Sequence, residues 1–116
     1  MLTPIPDLPD GVLGFEASGK LEASDYTDVL DPALQDAGDE IRLVLVMPDF
    51  DGITAEAAWA DAKMGIKRWG DWTRVAFVTD AEWMIRATKW FGWMSPGELK
   101  HFHLADRAAA IAWAAG

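Results

Sequence analysis

The sequence predicts an α/β fold, in which short apolar strands alternate with helices along the chain. Branched apolar residues fill two short runs, 41–47 and 75–78, as they do in strands that are buried on both faces of a parallel sheet. Stretches with apolar residues at helical spacing lie between and around these runs. A length of 116 residues suits one hydrophobic core, so we expect a single domain over residues 1–116.

The amino-terminal part of the chain is predicted to contain a hairpin and a helix. Apolar residues within 12–15 indicate a strand, and the proline-flanked residues 3–5 provide an edge strand with which it would form the hairpin. Apolar residues recur at helical spacing over residues 25–37, which predicts an amphipathic helix that ends at Gly38. Because Pro32 lacks a backbone N–H, we expect a kink or a break in this helix.

The predicted central strand covers residues 41–47. Its side chains are mostly branched and apolar, apart from Arg42, as is typical of a strand in the middle of a parallel sheet. Residues 48–52 contain proline, glycine and two aspartates and are predicted to form a loop. Residues 53–69 have an apolar stripe at helical spacing, which predicts a second helix that is closed by Gly70.

The rest of the chain continues the alternation. Residues 75–78 form the next predicted strand, and Asp80 is placed to cap a helix over residues 81–94. A final strand over residues 99–104 and an alanine-rich helix that begins at Asp106 complete the pattern.

Composition and charge exclude several classes of protein. The chain has no cysteine, so it has no disulfide framework, thiolate metal site or cysteine nucleophile, which fits the cytoplasm. Its net charge is −9, with −12 in residues 1–62 and +3 in residues 63–116, and no basic run can neutralise nucleic-acid phosphates. The sequence has neither a signal peptide nor an unbroken apolar stretch of about 18 residues. We therefore expect a soluble, cytoplasmic protein that does not bind nucleic acid.

Several short motifs occur in order along the chain: Gly19-Lys20-Leu21 before Asp25-Tyr26, then Pro32, Trp59-x-Asp61-x-Lys63 and Arg74-Val-Ala-Phe-Val. With these motifs the chain resembles the SpoIIAA-like family of the STAS domain superfamily, from about residue 6 to residue 113. The resemblance implies a small mixed sheet of four to five strands with about four helices, mainly on one side. It also implies a regulatory or ligand-sensing module and does not imply enzymatic activity.

The resemblance indicates where regulation would act. In the anti-sigma antagonists of the superfamily, a serine that can be phosphorylated stands beside an aspartate at the start of the helix after the central strand. The corresponding segment here contains Asp49, Asp51 and Thr54, and Thr54 is the only hydroxyl near the helix start. Thr54 is therefore either a plain helix cap or a regulated hydroxyl, whose phosphate would meet a favourable helix terminus.

The chain has seven tryptophans, and three of them fall within residues 83–94. At helical spacing, the apolar side chains of this segment cover an arc of about 180°, whereas contact with one core needs about 100°. The surplus apolar surface, beside Arg86 and Lys89, suits a membrane interface, an apolar ligand or a dimer. We expect an apolar pocket or edge between helices 53–69 and 81–94. Its residues are Trp59, Met64, Trp69, Trp83, Met84, Trp90 and Phe91.

Two other groups of residues could carry chemistry. Asp49 and Asp51 resemble the aspartates of haloacid-dehalogenase-type phosphotransferases, which act beside Mg²⁺, but too little chain follows to complete such a site, so this is a remote alternative. His101 and His103 share one face of a predicted strand and make, with Asp106, a weak metal site. We therefore expect no enzyme, no metal and no cofactor.

The sequence thus predicts a non-catalytic module that acts by binding. Its partner is a protein or a hydrophobic small molecule, and the alternative is a lipid carrier or sensor that contacts a membrane surface transiently. Two further interpretations remain open, namely a symmetric dimer through the tryptophan-rich edge and tryptophans that only fill the core.

Overall fold

The computed structural model of the chain describes residues 2–22, 24–38, 40–53, 69–80, 82, 85–86, 89 and 97–116. For residues 19–21, 26, 49–53 and 69 it describes the backbone and not the side chain. Five strands are present: β1 (Leu2–Pro4), β2 (Val12–Leu21), β3 (Ile41–Ile53), β4 (Trp72–Val78) and β5 (Glu98–Phe102). The described α-helices are α1 (Asp31–Ala37) and α2 (Arg107–Ala115). A π-helix (Asp25–Leu30) precedes α1, and 3₁₀ turns precede β4 (Trp69–Asp71) and α2 (Leu104–Asp106).

The strands form one sheet in the order β1-β2-β3-β4-β5. β1 runs antiparallel to β2, with Leu2 opposite Ala17, so the amino-terminal hairpin is present as predicted. The other three pairings are parallel, and Val46, Val78 and Phe102 lie side by side across β3, β4 and β5. The mixed α/β sheet is therefore confirmed, with five strands.

Apolar side chains cover both faces of the sheet. On one face, Leu30 of the π-helix and Leu34 of α1 pack against strand residues such as Leu43. On the other face, α2 inserts Ala110 and Ala114 into a second core of strand residues, which are Val12, Val44, Val46, Ala76 and Val78. The two described α-helices thus lie on opposite faces, whereas the resemblance implies helices mainly on one side.

Of the four predicted helices, the described residues contain two α-helices. The other two, 53–69 and 81–94, fall largely outside the described residues. At the ends of the first segment, Ile53 belongs to β3 and Trp69 to a 3₁₀ turn, so the prediction of a helix is wrong for these two residues. The described residues of the second segment are helical: Glu82, Ile85, Arg86 and Lys89.

The helix before β3 changes its geometry at the predicted break. The π-helix ends at Leu30, and α1 begins at Asp31 with Pro32 in its first turn. Proline cannot donate the backbone hydrogen bond that would continue a helix from the preceding turn, so it is best tolerated where a new helix starts. Gly38, at φ 73°, then ends α1 as predicted.

The prediction of a loop at residues 48–52 is wrong, because β3 continues to Ile53. Beyond Val46, β3 no longer pairs with β4, but β2 extends beside it and supplies a hydrogen-bonding partner. Pro48 falls where the register of the β2–β3 pairing shifts, and such a bulge tolerates a residue without an N–H. The neighbouring strand therefore overrides the turn-forming composition of this segment.

Two arginines connect the sheet to the carboxyl end of α2. Nη1 of Arg42 donates a hydrogen bond to the Ala114 carbonyl oxygen at 2.9 Å, and Nη1 of Arg74 donates to the Trp113 carbonyl oxygen at 2.6 Å. Arg74 also pairs with Glu98 of β5 at 3.0 Å and lies over the Trp113 ring. The last carbonyl groups of a helix have no partner within it and carry partial negative charge, so both guanidinium groups stabilise this end.

Replacement of Arg74 by methionine is expected to lower the free energy of unfolding by about 2 kcal/mol, because it removes charged hydrogen bonds from a partly buried position. Arg86→Met is the matched control, since Arg86 is 82% exposed and its ion pair with Glu82 spans 3.8 Å. The control should cost less than about 0.5 kcal/mol. Urea denaturation followed by tryptophan fluorescence measures both variants, and equal effects would contradict the role of Arg74.

Gly97 precedes β5 and lies against the backbone of β4. A Cβ atom at this position would lie 2.9 Å from the carbonyl carbon of Trp72, which is too close for two carbon atoms. Gly97→Ala is therefore expected to destabilise the fold by about 1–3 kcal/mol, because β4 would have to shift. Gly70→Ala is the control, since nothing lies within 4 Å of a Cβ atom there. Thermal unfolding should separate the two variants, and a harmless Gly97→Ala would show that β5 is not held this close to β4.

Candidate functional site

The carboxyl ends of the parallel strands lie at one edge of the sheet. Val78 and Phe102 are aligned as the last residues of β4 and β5. Thr79, Asp80 and His103 therefore follow at the same level of the sheet. β2 and β3 extend past this level as a two-stranded ribbon. Because ligands of open α/β sheets bind at the carboxyl ends of the strands, this edge is the candidate site.

Two histidines fasten the ends of β4 and β5 together. Nε2 of His101 lies 2.6 Å from the Thr79 carbonyl oxygen, and since a carbonyl can only accept, Nε2 carries the proton and donates it. Nδ1 of His103 lies 3.1 Å from Oδ1 of Asp80. The two rings are nearly perpendicular, at 85°, with centroids 4.9 Å apart. The backbone N–H of Thr79 also donates to the Phe102 carbonyl oxygen at 3.0 Å, so the end of β4 is held by backbone and side chains alike.

The Asp80 carboxylate accepts two hydrogen bonds through one oxygen. The backbone N–H of Leu104 donates to Oδ1 at 3.1 Å, and so does Nδ1 of His103. The hydrogen bond from Leu104, followed by that from His103, lowers the pKa of Asp80 below its ordinary value of 3.8, because both favour the ionised carboxylate. The side chains of Asp80 and His103 are 60% and 63% exposed, so a binding partner can reach them.

The partner of His103 differs from the one that the sequence suggests. The last strand ends at Phe102, so His103 lies just beyond it. The ring of His103 is hydrogen-bonded to the Asp80 carboxylate. The backbone N–H of Asp106 instead donates to the His103 carbonyl oxygen at 2.9 Å. Within the described ranges, no group of three metal-ligating side chains is arranged to hold an ion.

The predicted regulatory residues lie on and after the extension of β3. Asp49 and Asp51 belong to this strand, with Asp49 opposite Ser18 of β2. The remote phosphotransferase alternative needs its aspartates in a loop after a strand, so their position within a paired strand counts against it. Thr54 follows the last residue of β3 and lies outside the described residues.

Most residues of the predicted apolar pocket also lie outside the described residues; they are Trp59, Met64, Trp83, Met84, Trp90 and Phe91. The backbone of Trp69 lies in the 3₁₀ turn before β4, at the amino edge of the sheet. Of the cations predicted beside the pocket, Lys89 is exposed and Arg86 pairs with Glu82. Glu82 therefore partly neutralises the positive charge that Arg86 and Lys89 give to this segment.

Sequence patterns do not single out Thr79 and Asp80 as site residues, and Asp80 is predicted only as a helix cap. Both residues directly follow the buried run 75–78, and this position after a strand is the sequence feature that could have indicated a site. The order and direction of the strands place them beside His101 and His103. The spacing of residues along the sequence predicts neither the order nor the direction. Residue 81 lies outside the described residues, so the predicted cap of a helix that begins there stays a prediction.

An open depression of about 540 Å³ lies at the opposite, amino edge of the sheet. Its lining residues are Asp10, Gly11, Val12, Leu13, Asp36, Ala37, Glu40, Arg42 and Ala115. Arg42 is engaged there by the Ala114 carbonyl oxygen and by Glu40 at 3.5 Å. The depression shares no residue with the predicted site.

The five-stranded mixed sheet, with helices on both faces and an exposed polar cluster of Asp80 and His103 at its carboxyl edge, defines a small α/β domain. The SpoIIAA-like family model matches residues 12–115, so the chain belongs to the SpoIIAA-like family. The resemblance that short motifs indicate is therefore confirmed. Domains of this family are generally non-catalytic and commonly interact with protein partners.

The fold is similar to the crystal structure of an uncharacterized protein of the DUF3478 family, with a SpoIIAA-like fold, from Shewanella loihica. The two chains are 31% identical, with a TM-score of 0.75 over 97% of this chain and 91% of that chain. No curated protein matches the chain. None of the helices that the structure describes is long and apolar enough to cross a membrane.

The lowered pKa of Asp80 makes part of the stability depend on pH. Because the pKa is lower in the folded chain than in the unfolded chain, ionised Asp80 stabilises the fold above about pH 4, and this contribution is lost as the pH falls through the folded-state pKa. Asp80→Asn keeps an acceptor for Leu104 but removes the charge. The variant should be less stable than the wild type at about pH 7, and the difference should shrink as the pH falls below about 4 and through the folded-state pKa.

Urea denaturation across this pH range measures the difference between the two proteins. Asp36→Asn is the control, because Asp36 is an exposed carboxylate of α1, and its loss should change the free energy of unfolding by less than about 0.5 kcal/mol. A gap between wild type and Asp80→Asn that stays constant with pH would contradict the stabilisation by charge.

Proposed function

We propose that the chain is a non-catalytic regulatory module that binds another protein through the carboxyl edge of its sheet. Membership of the SpoIIAA-like family over residues 12–115 carries this proposal, because domains of this family are generally non-catalytic and commonly bind proteins. The exposed Asp80–His103 pair supports the choice of this edge, since it offers a charged, accessible group at the ends of two paired strands.

The strand topology supports the same edge. Residues 54–68 follow β3, and residues 81–96 follow β4. Because β3, β4 and β5 are parallel and adjacent, both connections start at the carboxyl edge and return to the amino edge. In our proposal the partner meets both the polar cluster and Thr54, which follows the last residue of β3 in the sequence. A phosphate on Thr54 would add negative charge after Asp49 and Asp51 and would change the charge that a partner meets.

The apolar residues of the two connections provide the apolar part of the proposed surface. Trp59 and Met64 fall in the first connection, and most of the other predicted pocket residues fall in the second. Aromatic residues and methionine are enriched in the centres of protein interfaces, where they fill desolvated pockets. We propose that these residues hold an apolar side chain of the partner, while the polar cluster fixes its orientation.

A lipid or another hydrophobic small molecule is the second candidate occupant of this pocket. The exposed Arg86 and Lys89 in the tryptophan-rich segment favour it, because cations beside tryptophans suit an anionic membrane surface. The ion pair between Arg86 and Glu82 reduces the positive charge of this segment. A protein partner is therefore the better supported occupant.

Site-specific photo-cross-linking in cells tests the proposed edge. A photoreactive amino acid is placed at His103, which is exposed at the carboxyl edge, or at Asp36, which is exposed at the amino edge. We expect a discrete covalent adduct with one protein from position 103 and none from position 36. Equal adducts from both positions, or none from position 103, would contradict docking at the carboxyl edge.

The same purified protein is examined by native mass spectrometry, followed by organic extraction. Under the protein-binding proposal it should carry no retained apolar molecule. A lipid that survives purification and leaves the chain only on extraction would support the second candidate and contradict a pocket that is filled by a protein side chain.

A further inference from the structure

β5 is the last strand of the sheet, and no described strand pairs with its outer edge. The backbone N–H of Thr79 donates to the Phe102 carbonyl oxygen, so the peptide groups of Phe102 face β4. Because successive residues of a strand direct these groups to opposite edges, Leu99 and His101 direct theirs to the outer edge. Backbone groups of this kind are a template for another strand.

The side chains of β5 restrict which strand can pair with it. Glu98 and Lys100 are exposed, have opposite charges and lie two residues apart, so they project from one face of the strand. An antiparallel second copy of β5 with Leu99 opposite Leu99 would place Glu98 of each copy opposite Lys100 of the other. These are non-hydrogen-bonded pairs, in which side chains approach each other most closely.

Other registers that also pair the outward backbone groups are less favourable. A register centred on Lys100 places two lysines opposite each other, and a register centred on Glu98 does the same with two glutamates. Like charges directly opposite each other destabilise a strand pair. A register centred on His101 pairs Lys100 with Phe102 and leaves Glu98 without a cation from the second copy. Charge complementarity therefore selects the register centred on Leu99.

The surroundings of Glu98 agree with this register. Arg74 of β4 already lies 3.0 Å from Glu98, whose side chain remains 65% exposed and can accept a second cation. Lys100 of the second copy would extend the pair into a row of alternating charge across the junction. Leu99 packs at the margin of the first core, on the other face of the sheet, where it would meet Leu99 of the second copy.

We propose that the chain forms a symmetric dimer by antiparallel pairing of β5 with β5 of a second copy, centred on Leu99 and held by two Glu98–Lys100 ion pairs. The two sheets then join into one continuous sheet. A strand of five residues offers a small interface, and the ion pairs are partly exposed. The dimer is therefore in equilibrium with the monomer and weakens at high salt.

Sedimentation velocity of the full chain over a range of concentrations tests the proposal. The wild type should shift from monomer to dimer as its concentration rises, and added salt should oppose the shift. Lys100→Glu and Glu98→Lys each place like charges opposite each other and should weaken association at least tenfold. An equimolar mixture of these two variants should associate again, because each then carries two charges opposite in sign to those of the other.

Lys89→Glu is the matched control, since it makes the same change of charge at an exposed position of the tryptophan-rich segment. It should leave the monomer–dimer equilibrium unchanged, and circular dichroism should show that all variants are folded. A chain that stays monomeric at every concentration overturns the proposal, and so does a variant mixture that fails to associate. Loss of the dimer in Lys89→Glu with retention in Lys100→Glu would assign the interface to the tryptophan-rich edge and would also overturn it.

Discussion

The parallel pairing of β3 on both of its sides is the constraint on which the rest of the structure depends. Val44 and Val46 are almost completely buried on one face of β3, and Ile41 and Leu43 on the other. A strand in this position needs cover on both faces, which α1 and α2 provide from opposite sides. Parallel neighbours also cannot be joined by a tight turn. The chain must therefore leave the sheet at its carboxyl edge and return to its amino edge, and this places the candidate site at the carboxyl edge.

α2 attaches to the sheet through small buried side chains, with Ile111 and Trp113 partly buried beside them. Its buried residues, Ala110 and Ala114, are small, so they allow close approach but remove little surface from water. Arg42 and Arg74 add charged hydrogen bonds at the end of this helix, where its carbonyl groups need partners. Arg74 also reaches Glu98, so one side chain links β4, β5 and α2. Packing and polar contacts thus act together at this junction.

The candidate site shows how far a single sequence leads toward function. Short motifs identify the family, and family membership supports a non-catalytic binding module. The composition around the aspartates at positions 49 and 51 predicts a loop, yet both belong to β3, which pairs there with β2. The contact between His103 and Asp80 joins residues 23 positions apart, so no local pattern could predict it. The predicted tryptophan-rich pocket remains a proposal, because its residues lie almost entirely outside the described ranges.

The sequence by itself determined the α/β class, the runs that become β3 and β4, and the break of the first helix at Pro32. These features follow from side-chain polarity over a few neighbouring residues and from the missing N–H of proline. Tertiary structure alone decided that β3 continues through Pro48, that Arg42 and Arg74 bind the end of α2, and that Asp80 meets His103. Each of these depends on which distant strand or helix supplies the hydrogen-bond partner, and the strand order of the folded sheet sets that choice.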